Sequence, residues 1–112
     1  MLSASLFAAP ISKAPSCAQK IYIALADQLS LTDDDIDYID RFGKGKAPGN
    51  ECGACYTAKT LLEEKDWKEV EEEFLKKAGA LTCKEIRAKG KLSCPECAQL
   101  GVDIVKRIRR LQ

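Results

Sequence analysis

Four short polar signals constrain this chain most, because each opens a stretch with helical spacing. They are Ser16 ahead of Cys17, Thr32 with Asp35, Thr82 with Glu85, and Ser93 with Glu96. A Ser or Thr side chain can accept a hydrogen bond from an amide of the first helical turn that has no partner inside the helix. An acidic residue three positions on completes a capping box. Runs of alternating apolar residues, which would announce strands, are scarce. The pattern predicts an all-α fold, a compact bundle of about five to six helices with cysteines at helix N-termini.

The expected helices can be placed by their apolar faces and stops. The first runs from near Cys17 to Leu29 and carries Ile21 and Leu25, with Ala24 and Gln28 in phase. The second starts at Thr32, places Asp33 to Asp35 at the positive end of the helix dipole, and carries Ile36, Tyr38, Ile39 and Phe42 up to Gly43. A loop with three glycines and a proline follows over 43–50. The third helix opens near Cys52 and continues to about Glu64. The fourth opens at Asp66 and runs to about Ala78, with Trp67, Val70, Phe74 and Leu75. A short fifth spans Thr82 to Gly90. The last begins at Ser93, tolerates Pro95 in its first turn, and aligns Cys97, Leu100, Ile104, Ile108 and Leu111 on one face with Val105. Residues 1–15 read as a flexible tail and 16–112 as a single helical domain.

Composition narrows the chemistry. The 112 residues contain six cysteines and no histidine. Without histidine the chain can build neither a Ser-His-Asp or Cys-His catalytic set nor a His-ligated zinc enzyme. Tyr56 and Ala98 follow the pairs Cys52/Cys55 and Cys94/Cys97, so covalent haem attachment is excluded as well. A soft metal would have to be held by thiolates, alone or with carboxylates. With 18 basic and 17 acidic residues the net charge is +1, which predicts no partnership with nucleic acid. No stretch approaches the roughly 20 apolar residues of a membrane span, and no membrane partner is expected. The apolar start, residues 1–10, lacks a preceding basic residue and is short for a secretion signal. The expectation is therefore a cytoplasmic protein, where clustered cysteines bind metal or do redox work more often than they staple a fold.

All six cysteines fall at or near expected helix starts: Cys17, Cys52, Cys55, Cys83, Cys94 and Cys97. Unpaired amides and the positive end of the dipole favour thiolate over thiol there. The three-residue spacing within each C-x-x-C pair is expected to put both sulfurs on one helical face. Other polar features have plainer readings. Lys106 to Arg110 and Glu71 to Glu73 are expected to be solvated faces, Trp67 and Phe74 core, and Lys44 with Lys46 no phosphate loop, since no strand precedes them.

Four fragments in order carry a resemblance to a known family. They are Cys17-Ala-Gln19; Phe42-Gly-Lys-Gly45 with Gly49-Asn-Glu-Cys52-Gly-Ala54; Ala80-Leu-Thr-Cys83-Lys-Glu85; and Cys97-Ala-Gln-Leu100. From about Ser16 to Leu111 the chain resembles the redox-active proteins named for their C-GCAxxG-C-C cysteine pattern, which are related to a domain of the split-Soret cytochromes. The resemblance implies that Cys17, Cys52, Cys83 and Cys97 are cofactor ligands or redox thiols, and that the cofactor is an iron–sulfur centre, of [2Fe–2S] type, serving electron transfer or redox sensing. Cys55 and Cys94 are additional to the pattern and stand as alternative ligands or redox thiols. Thr57 sits where the family has a glycine shortly after the second cysteine.

Two other functions stay open on the sequence. One is thiol–disulfide exchange through Cys52/Cys55 or Cys94/Cys97. The other is a structural zinc site made of four cysteines, although the span between the pairs exceeds the roughly 15–20 residues of a zinc ribbon. No catalytic residue is assigned. A redox partner protein is implied without being identified, and a homodimer stays open.

Overall fold

The computed structural model describes residues 15–43 and 46–111. Apart from Pro15, the expected tail lies outside the described residues, as do Lys44, Gly45 and Gln112. The fold is an all-α bundle of six helices, with no strand among the described residues. In chain order they are α1 (Cys17–Leu29), α2 (Asp33–Ile39), α3 (Gly53–Thr60), α4 (Trp67–Lys77), α5 (Cys83–Lys89) and α6 (Cys94–Arg109).

The cap signals act as the sequence suggests. Ser16 accepts from the Gln19 amide, and Gln19 closes the box by accepting from the Ser16 amide. Thr32 with Asp35 and Ser93 with Glu96 form complete boxes. Thr82 differs. It accepts from the Glu85 amide at 3.2 Å, but the Glu85 carboxylate takes the Thr82 hydroxyl at 2.9 Å and not its amide.

Two expected helices are shorter than the sequence suggests. The second relaxes into a tight turn over Asp40–Phe42, and the third stops at Thr60 before a separate turn at Glu64–Asp66. Helix α3 ends where its last carbonyls find other partners: Trp67 Nε1 donates to Lys59 O at 3.0 Å, and Arg109 Nη1 to Leu61 O at 3.0 Å.

Helices α1, α3 and α6 pack on one another around Ile21, Leu25, Ala54, Ala58, Leu100 and Ile104. Helix α4 joins through Val70 and Phe74, both fully buried. Two glycines set how closely these helices meet. A methyl group at Gly53 would lie 2.8 Å from the Phe42 carbonyl oxygen and 3.1 Å from Cys17 Sγ. One at Gly101 would lie 2.6 Å from Ile21 Cδ1. The missing side chains therefore bring the start of α1 against the start of α3, and α6 against α1.

Several surface expectations are corrected. Trp67 is 38% exposed, because its indole is spent capping α3 and not filling the core. Tyr38 is exposed under the Arg41 guanidinium, 4.3 Å from its ring centre. The charged runs are not merely solvated: Arg107 pairs with Glu69 at 2.8 Å and lies 3.8 Å from Glu73, tying α6 to α4. No helix among the described residues is long and apolar enough to cross a membrane.

Candidate cysteine site

Every cysteine does lie at a helix start. Cys17, Cys83 and Cys94 are the first residues of α1, α5 and α6; Cys52 is the cap of α3; Cys55 and Cys97 complete the first turns of α3 and α6. No two of the six are joined in a disulfide.

The packing of these helix starts gathers five of the sulfur-bearing side chains. Cys17, Cys52, Cys83, Cys94 and Cys97 line one cavity of about 510 Å³. Ile86, Leu92 and Pro15 supply its apolar wall. Backbone pairing fixes two of its corners. The Cys52 amide donates to Leu81 O at 2.7 Å, and Glu51 makes an antiparallel bridge with Thr82. The start of α3 is thereby tied to the segment that delivers Cys83.

The sulfurs also differ in exposure. Cys52 and Cys97 are buried, Cys17 and Cys83 half-buried, and Cys94 is exposed. Cys52 sits between two of the others. It receives a hydrogen bond from Cys17, which lowers its pKa, but its own bond to Cys97 and its burial more than offset this and push the thiol up to about 11. Cys97 moves the other way: the Cys52 hydrogen bond stabilises its thiolate, and burial only partly opposes that. The expectation that helix starts uniformly favour thiolate fails for Cys52 and Cys55, and Cys97 is lowered by the Cys52 hydrogen bond and not by its place at a helix start. Desolvation and neighbouring thiols outweigh the partial charge of a helix terminus.

Cys55 is the sixth sulfur and does not line the cavity. It is fully buried beside Glu51, and burial followed by that carboxylate pushes its pKa up. The same carboxylate lies 2.9 Å from Lys59 Nζ, which also reaches Glu71 at 2.5 Å. Burial alone would weaken the Lys59 charge; Glu71 and Glu51 more than restore it. Thr57 is fully buried with a hydroxyl that finds no hydrogen-bond partner among the described residues.

The separation of Cys52 from Cys55 corrects the expectation of a shared face. The three-residue rule needs both residues to be helical. Cys52 has φ −57° and ψ 131°, outside the helix, so its side chain does not follow the helical phase of Cys55. Cys94 and Cys97 are both inside α6 and both line the cavity.

Two cations of the wall were not singled out from the sequence. Lys20 lies one turn after Cys17, and Arg87 one turn after Cys83, with Nη2 3.4 Å from Cys83 Sγ. The four-residue spacing of Cys83 and Arg87 was the available signal.

Five soft donors around one cavity suit a thiophilic metal or an iron–sulfur centre. Yet among the described residues no three cysteine or carboxylate side chains are gathered closely enough to hold a metal ion. The sulfurs share the wall without sharing a point, so ligation would require their side chains to turn inward. Compared with known proteins, the chain matches no family model, no curated protein and no solved structure.

Proposed function

We propose that the chain is a redox protein in which Cys17, Cys52, Cys83 and Cys97 hold an all-cysteine iron–sulfur centre for electron transfer or redox sensing. The observation that supports this reading is that these four side chains, distant in sequence, line one cavity. They are also the four cysteines of the family pattern. When bound, the centre would supply one-electron chemistry. The chain's own part is to deliver the thiolates from four helix starts, shield them with Ile86 and Leu92, and place Lys20 and Arg87 against the negative charge of the site.

The competing readings are served unevenly. Of the two pairs open to thiol exchange, Cys52/Cys55 is the one served poorly, because Cys55 faces Glu51 instead of the cavity, whereas Cys94 and Cys97 share its wall. A zinc site made of both C-x-x-C pairs fails at the same residue, since Cys55 does not line the cavity.

Anaerobic purification from cells competent in cluster assembly tests the proposal. The expected product is coloured and contains iron and acid-labile sulfide. A colourless, iron-free chain would overturn it, and zinc without sulfide would replace it with a structural metal site.

A further inference from the structure

We propose that Cys94 and Cys97 form a dithiol switch on this cavity, operated by a small anionic disulfide. Four observations support it. Both residues lie in the first turn of α6, where Cα atoms three positions apart are about 5 Å distant by helix geometry. That Cα separation falls inside the range a disulfide spans, while the roughly 5–6 Å between Cβ atoms three apart on a helix must close to about 4 Å, so forming the bond draws the first turn of α6 out of helical geometry at Cys94. Cys94 is exposed, whereas Cys97 is 2% exposed, so an incoming reagent meets one thiol and the second waits behind it. Both line the same wall, which leaves room beside them for a small molecule. Finally, Lys20 and Arg87 share that wall with a single carboxylate among the described residues, Glu96, which already accepts the Ser93 amide at 2.8 Å. The balance of charge favours a disulfide bearing carboxylates over one bearing amines.

The exchange runs in two steps. The Cys94 thiolate attacks one sulfur of the reagent R–S–S–R; that S–S bond breaks, and the first RS⁻ leaves with the bonding electron pair. Cys97 then loses its proton and attacks Cys94 Sγ, expelling the second RS⁻. The two protons lost by the thiols end on the two RSH products, and two electrons pass from the dithiol to the disulfide. Cys97 is thereby withdrawn from the cavity's donor set. The regulatory consequence rests on the iron–sulfur reading given above; the exchange itself does not.

The test uses the reduced, metal-free full chain with dithiodipropionate as the anionic probe and cystamine as the cationic one, followed by peptide mapping. The expected product is a Cys94–Cys97 disulfide, formed several-fold faster with dithiodipropionate. Cys97→Ser should stop the reaction at a mixed disulfide on Cys94, and Arg87→Gln should reduce the preference for the anionic probe. A first adduct on Cys83, or unchanged oxidation in Cys94→Ser, would overturn the switch. Oxidised and reduced chains are then offered iron and sulfide. Uptake by the reduced chain alone supports the regulation, and equal uptake by both refutes it. If neither chain takes up iron, the iron–sulfur reading falls and its regulation with it, while the mapping still decides the exchange.

Discussion

The starts of α3 and α6 carry the same C-x-x-C spacing and put it to different uses. In α6 the first cysteine is already helical, and both sulfurs reach the cavity. In α3 the first cysteine is the cap, and only Cys52 reaches it, while Cys55 is buried beside Glu51 and Lys59. A one-residue shift of the helix boundary therefore decides whether such a pair acts as a unit. It also sets the electrostatics: Cys52 lies between two thiols, whereas Cys55 faces a carboxylate and is held protonated.

The sharpest way to break this contrast is to replace the two α3 cysteines separately. Cys52→Ser should abolish iron and sulfide in the anaerobically purified protein, and Cys55→Ser should leave most of both. The reverse order would show that the cavity has been assigned to the wrong sulfurs. Metal and sulfide analysis of the two variants, beside their thermal melts, reads the difference.

A smaller effect is expected on the Cys55 side. Lys59→Met leaves Glu51 and Glu71 facing each other without their cation, and Glu51 is only 16% exposed. The cost should be about 1–3 kcal/mol, below that of a fully buried pair because Glu71 is partly solvated. Urea unfolding measures it. The sign of the pH dependence follows from the raised pKa of Lys59. Its contribution is complete below the ordinary lysine value and is lost only as pH rises through the higher folded value, so wild type and variant should converge in strong alkali.

The smallest effect belongs to α6. Ser93→Ala removes the cap beneath Cys94 and should cost about 1 kcal/mol, leaving the cysteine-lined wall in place. Acid should act on the same turn. The Ser93 amide, and then its hydroxyl, hold Glu96 below its usual pKa of 4.5. The stability this brings is present above pH 4.5 and is lost as pH falls through the lower folded value. Thermal melts across that range check it, and a flat difference between wild type and Glu96→Gln would remove Glu96 from the cap.

Much of the fold was legible because capping is local. Ser16, Thr32, Thr82 and Ser93 sit within three residues of the groups they satisfy, so neighbouring letters are enough to place four helix starts. The periodicity of α6 likewise placed Cys97, Leu100 and Ile104 in the core. The end of α3 was not legible, because it depends on Trp67 and Arg109, the latter 48 residues away from Leu61. Nor was the exposure of Trp67, whose large apolar ring suggested core until its N–H found a carbonyl.

The sequence by itself determined that six sulfurs would stand at helix starts and that no imidazole could join them. Only the tertiary structure decided which sulfurs share a space. That choice depends on Gly53 and Gly101 letting α1, α3 and α6 meet closely, and on the pairing of residues 51–52 with 81–82. These are contacts between segments far apart in the chain. Neither a spacing rule nor a helix dipole can foresee them, because both describe a single element at a time.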